Sequence, residues 1–175
     1  MNDTSDARSS PARLWLGTLV FVVFVPGSVL VYVPYALTGW EVGPPLLGLA
    51  FLRWLGGLAI LVGLPVFADF LWRFVREGRG TPAPVAPPTE LVATGGFRHV
   101  RNPGYVAVLA LIAGQALLFG SRALLLYAAL VWLAFHLFVV LREEPSLRRR
   151  FGASYAEYCR EVPRWIPRLR GARRP

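Results

Sequence analysis

The chain contains no lysine, one cysteine and only two histidines in 175 residues. Cys159 alone cannot form an internal disulfide, and with His99 and His136 scattered there is no cysteine cluster or second ligand set for a metal. Acidic residues are scarce, ten against nineteen basic ones, and every basic residue is arginine. The net charge of +9 could suit nucleic acid, but the arginines flank apolar runs. That placement is the one expected for anionic lipid headgroups and for membrane topology, and it argues against a nucleic-acid partner. No G-x-G-x-x-G follows a strand pattern, so a soluble dinucleotide-binding fold is not indicated.

What the chain has in abundance is apolar residues, 55% of the total, with a mean hydropathy of +0.48. This composition predicts an all-α integral membrane bundle of about four spans. Residues 1–13 read as a disordered polar lead, and 14–175 as one membrane domain. The first apolar run is longer than a signal-peptide core and no small-residue cleavage site follows it, so it is expected to stay as a helix. Spans are expected at 14–37, 46–75, 104–119 and 123–141, the last two forming a C-terminal helical hairpin. Pro26 and Gly27 should kink the first, and Pro34 should fray its end. Arg53 is placed to snorkel outward, and Asp69 to pair locally with Arg73.

Two polar segments remain, the loop 76–102 and the tail 142–175. The loop is rich in Gly, Pro and Arg, and Pro82, Pro84, Pro87 and Pro88 restrict it to extended conformations. Between Arg73 and Arg101 lie five arginines and two glutamates, and the tail holds ten arginines and four glutamates. The positive-inside tendency therefore places both segments, both termini and any site they build at the cytoplasmic face.

The loop ends in Gly95-Gly96-Phe97-Arg98-His99-Val100-Arg101-Asn102-Pro103-Gly104-Tyr105, a glycine pair followed by basic and amide donors at a helix start. Helix N-termini favour anionic groups. In the tail, Glu144, Leu147, Phe151, Tyr155 and Tyr158 recur at intervals of three and four, one face of a helix that begins where the last span ends. Glu143 and Glu144 could bind a cation or an amine, and Tyr155 and Tyr158 could pack on a planar ring. Together they suit a zwitterionic aromatic ligand. His136, on an apolar helix, reads as a hydrogen-bonded packing residue, and Arg148-Arg149-Arg150 as a headgroup-binding run.

The segment GGFRHVRNPGY, a hydrophobic hairpin and then EEPSLRRRFGASYAEYCREVPRWIP resemble the isoprenylcysteine carboxyl methyltransferase family, within the wider group of membrane phospholipid methyltransferases. The resemblance implies a membrane methyltransferase using S-adenosylmethionine, bound at the cytosolic ends of the helices, and a lipid-like or isoprenylated acceptor. The family's Arg-His-Pro-x-Tyr falls on Arg101, Asn102, Pro103 and Tyr105, with asparagine in place of histidine. Asn102 can donate and accept hydrogen bonds but cannot act as a base. Expected cofactor contacts are His99, Arg101, Asn102, Pro103, Tyr105, Glu144, Tyr155 and Tyr158. Glu143, Glu144 and Arg164 are expected to serve the reaction, and no metal is implied. Two other readings carry weight at this stage: an NADPH-dependent reductase of the sterol-reductase type, whose C-terminal part is similar, and a non-catalytic lipid-binding membrane protein.

Overall fold

The computed structural model of the chain describes residues 16, 19, 20, 23–76 and 91–168, and every regular element among them is helical. The expectations for 1–13, for the four loop prolines and for 169–175 fall outside the described residues. Five helices follow in order: α1 Val23–Thr38, α2 Phe51–Arg76, α3 Pro103–Phe119, α4 Arg122–Phe138 and α5 Glu144–Glu161. Phe51–Arg73 and Arg122–Glu161 are long and apolar enough to cross a membrane, and α1 and α3 are shorter apolar helices.

Helix α3 is the core. Ala107, Val108, Leu111, Ile112 and Ala116 are buried on it, and α2 lies along it more closely than any other helix. Glycine permits that approach: a Cβ on Gly56 would stand 2.6 Å from the Gly114 carbonyl oxygen, and one on Gly114 2.9 Å from that of Gly56. In a bilayer, where lipid tails remove most of the hydrophobic drive between helices, such close backbone packing is a main source of association. The outer surface is apolar as well, with Trp54 84% exposed and Phe24, Leu61 and Leu126 among the exposed side chains. A surface of this kind is stable against lipid and unfavourable against water.

Proline shapes α1 differently from expectation. The helix runs through Pro26 and Gly27 and widens just after them into a π-turn over Ser28–Tyr32, where the Val33 N–H reaches back to the Ser28 carbonyl. Pro34 then offers no N–H. The carbonyls of Val29 and Leu30 so lose their usual backbone donors, and two side chains replace them: Tyr127 Oη donates to Val29 O at 3.1 Å and Gln115 Nε2 to Leu30 O at 3.0 Å. Gln115, the polar interruption of an apolar run, thus serves a carbonyl freed by a proline on another helix. The helix end does not fray at Pro34; it continues to Thr38 and is closed by Gly39 in the left-handed conformation.

The same device recurs before the tail. A π-turn over Val139–Glu143 joins α4 to α5, Glu144 N–H reaches back to Val139 O, and Pro145 follows. Two further departures concern helix limits. Residues 46–50 are not part of the second span, because Leu46–Gly48 forms a 3-10 turn after Pro44-Pro45, with Leu47 and Gly48 at positive φ. Within α5, Gly152 takes φ 52° and ψ −122° and bends the helix. Glu144 and Tyr155 are nonetheless buried and Leu147, Phe151 and Tyr158 half-buried, so the inward face read from the spacing holds across the bend.

Candidate functional site

At one end of the bundle, α2 stops, α3 starts and α5 leaves α4. Asp69 near the end of α2 accepts from Arg73 Nε at 2.8 Å, which is the local pair expected, and from the Gly96 N–H at 3.4 Å. Arg73 Nη1 also donates to Thr94 Oγ1 at 3.1 Å. These bonds pin a 3-10 turn, Gly95–Arg98, whose Phe97 is buried against Phe70 with ring centroids 6.0 Å apart. Asn102 and Pro103 then open α3, with proline at a position where a missing N–H costs nothing.

The tail closes over this turn. Its strap, residues 162–168, is tied to the loop by Arg101 N–H to Pro163 O at 2.8 Å, Arg168 N–H to His99 O at 3.0 Å, and Asn102 Nδ2 to Arg164 O at 3.1 Å. His99 Nδ1 lies 2.7 Å from Arg168 O; a carbonyl only accepts, so this ring nitrogen carries the hydrogen. From α5, Tyr158 Oη donates to Phe97 O at 2.8 Å. Loop and tail, placed on one side by their charge, are in direct contact.

The adjacent carboxylates have different surroundings. Glu144 is buried and saturated: its Oε1 accepts from Arg101 Nη1 at 2.8 Å and Arg164 Nε at 2.7 Å, and its Oε2 from Arg164 Nη2 at 2.9 Å. Its hydrogen-bonding partners are therefore Arg101 and Arg164, and Arg148 acts on it through charge alone. Burial alone would raise its pKa, but the Arg164 hydrogen bonds and the charges of Arg101, Arg164 and Arg148 outweigh burial and hold the carboxyl below its ordinary value. Glu143 accepts, among the described residues, only from Tyr105 Oη, at 3.0 Å. Burial raises its pKa, the Tyr105 hydrogen bond offsets part of that, and the Glu144 charge adds to the rise. Two neighbouring carboxylates thus have pKa values moved in opposite directions, an arrangement that recurs where acid–base roles are divided.

Around Glu143 stands a set of rings. Tyr105 packs on Phe135 at 4.5 Å and faces Trp165 at 6.5 Å, and Trp165 Nε1 donates to His136 Nδ1 at 3.1 Å. His136, stacked on Trp132 at 5.4 Å, is thus a hydrogen-bonded packing residue. Tyr155 and Tyr158 pair at 6.2 Å, and burial pushes both phenols well above their usual pKa, so both stay neutral. Arg101 also reaches Cys159 Sγ at 3.1 Å, while its buried Nε has no partner among the described residues.

Every residue expected in the site is at this end of the bundle. Arg101, Glu144 and Arg164 form one ion-pair cluster, Tyr105 and Glu143 a hydrogen-bonded pair, and Asn102, His99 and Tyr158 hold loop to tail. Trp165 was missed; its only signal was an aromatic residue directly after Arg164. No group of three or more metal-ligating side chains occurs among the described residues.

The family model for phospholipid methyltransferases matches residues 51–154, from the first residue of α2 through the hairpin and both glutamates to beyond Gly152. The chain belongs to the phospholipid methyltransferase family. This phospholipid methyltransferase relative is accordingly a membrane methyltransferase, and the match does not single out the isoprenylcysteine branch. No curated protein and no solved structure matches the chain. The strap carrying Arg164 and Trp165 lies beyond the matched residues, although it supplies half of the Glu144 cluster.

Proposed function

We propose that the chain transfers the methyl group of S-adenosylmethionine to the amine of a phospholipid headgroup, with Glu143 as the base. The observation that carries this reading is the division of labour between the carboxylates: Glu144 is committed to two arginines, whereas Glu143 is held by Tyr105 alone among the described residues and has its pKa raised. A carboxylate acceptor, as in isoprenylated substrates, needs no base. An amine must lose a proton, and Glu143 is the group suited to take it. The family match supports neither the reductase nor the non-catalytic reading.

The residues present fit the cofactor. The Nε of Arg101, buried and without a partner among the described residues, suits a carboxylate, the half-buried ring of Tyr158 suits adenine, and Glu143 with the rings of Tyr105 and Trp165 suits cationic groups. Pro103, Asn102 and His99 complete the loop wall, and Tyr155 backs Tyr158. When bound, S-adenosylmethionine supplies a methyl carbon on a sulfonium, which the amine nitrogen displaces while the carbon–sulfur electron pair leaves on sulfur. Glu143 accepts the proton released by the amine, and Tyr105 orients its carboxylate. Arg164 keeps Glu144 neutralised, so the second carboxylate does not compete for that proton. The excess of arginine in loop and tail supports a cytoplasmic location for the site.

The test uses the full chain in phosphatidylethanolamine vesicles with methyl-labelled cofactor. Glu143→Gln is expected to lower kcat about 100-fold or more, the usual range for losing a general base. Undiminished transfer by Glu143→Gln would exclude it as the base, and label appearing as a methyl ester in place of an N-methyl lipid would move the acceptor to the carboxylate class.

A further inference from the structure

A histidine is costly in an apolar span, and His136 stands half-buried in one. Packing engages only one of its ring nitrogens. Trp165 Nε1 lies 3.1 Å from Nδ1, and an indole nitrogen only donates, so Nδ1 accepts and the ring hydrogen is on Nε2. That Nε2–H has no hydrogen-bond partner among the described residues. Nor is it sealed inside: the buried side-chain nitrogens and oxygens left without a partner among these residues are Arg53 Nε and Arg101 Nε. The flanking Trp132, Leu133 and Leu137 of α4 are exposed, so the donor opens toward lipid, where an unmet N–H is unfavourable.

What can meet this donor follows from its depth. His136 precedes Glu143 by seven residues on a continuous helical path, which sets it about 10 Å further into the bilayer. The same rings join the two positions: Trp165, bonded to His136, faces Tyr105 at 6.5 Å, and Tyr105 Oη bonds Glu143. In an ethanolamine phospholipid with its amine at Glu143, the phosphate follows directly. The glycerol ester carbonyls come a comparable distance below the amine, at the level of His136. A carbonyl oxygen only accepts, and it is the complement that a diacyl lipid offers to an N–H at this depth. Trp132, stacked on His136 with ring centroids 5.4 Å apart, extends an apolar surface below it for the acyl chains.

We infer that His136 Nε2–H donates to an acyl-ester carbonyl of the lipid acceptor, and so selects ester-linked phospholipids over ether-linked ones. The inference rests on the amine reading of the site, because the depth is measured from Glu143. His136 touches neither the methyl group nor the amine; it holds the lipid at the height that brings its amine to the base.

Diacyl and dialkyl-ether phosphatidylethanolamine of matched chain length share amine, phosphate and tails and differ in the carbonyls. Offered in competition to the full chain in mixed micelles and read by native mass spectrometry, the diacyl lipid should bind about three- to tenfold more tightly, the worth of one hydrogen bond. Its KM should be lower by the same factor, with kcat the same for both lipids. In His136→Asn the side-chain oxygen can stand in for Nδ1 toward Trp165, but no donor remains at the Nε2 position, and the two lipids should bind equally. Equal binding by the wild-type chain, or a preference undiminished in His136→Asn, would overturn the assignment. The wild-type comparison decides it if the variant does not fold. Glu143→Gln separates this inference from the reading it rests on: it should lower transfer and leave the ratio of the two affinities intact. Undiminished transfer in Glu143→Gln with the ratio retained would remove the base and keep the role of His136.

Discussion

At Glu144 the three arginine nitrogens that surround one carboxylate make removal of the acid more damaging than its modest length suggests. Glu144→Gln leaves Arg101 and Arg164 without their counter-charge in a largely buried setting and should cost about 3 kcal/mol of stability, read as a lower thermal unfolding midpoint. The pH dependence follows from the sign of the shift. Because the folded-state pKa is lowered, the pair's contribution is present above the ordinary glutamate range and is lost as pH falls through the lowered value. Wild-type chain should therefore lose stability in acid along a limb that Glu144→Gln lacks. Glu143 behaves oppositely. Its raised pKa would rise further in Tyr105→Phe, since the phenol's hydrogen bond favours the ionised carboxylate. The acid limb of the activity profile should then move to higher pH, and a limb that stays in place would remove Tyr105 from its orienting role.

Among the helices, the paired π-turns are the informative feature. Each ends two residues before a proline, at Pro34 and at Pro145, and each widens the helix where an N–H is missing. In α1 the freed carbonyls are met from α3 and α4, which locks three helices together. Gln115→Leu should cost about 1 kcal/mol, in the range measured for interhelical hydrogen bonds in membranes. Pro34→Ala restores a backbone N–H close to the Leu30 carbonyl, so in that background Gln115→Leu should be nearly neutral. A double-mutant cycle in thermal stability reads the coupling, and full additivity would contradict the account. None of this was legible in the run 14–37: its apolarity announced a helix, but a proline reveals only that a bond is missing, not which neighbour replaces it.

The molecule as a whole is a bundle whose two ends differ. One end gathers most of the described arginines and carboxylates and the strap, and the other holds the turns at Leu46–Gly48 and Gly120-Ser121, where the Gly43 N–H bonds Phe119 O at 3.0 Å and Arg53, instead of snorkelling outward, donates to the Gly43 carbonyl. If the charged end is cytoplasmic, Ser121→Cys in a Cys159→Ser background should react with an impermeant maleimide on intact cells, and Cys159 in the native chain only after the membrane is opened. The reverse labelling pattern would invert the orientation. By itself the sequence determined the helical membrane class, the face of α5 that turns inward and the meeting of loop and tail, because apolar length, helical period and charge asymmetry are properties of local stretches. Only the tertiary structure decided the partners of the two glutamates. Glu143 and Glu144 are neighbours with the same chemistry, and their separation into a hydrogen-bonded carboxylate and a saturated ion pair depends on Tyr105, Arg101 and Arg164, which lie 20 to 43 residues away along the chain. Chain separation carries no record of such contacts; packing of α3, α5 and the strap creates them.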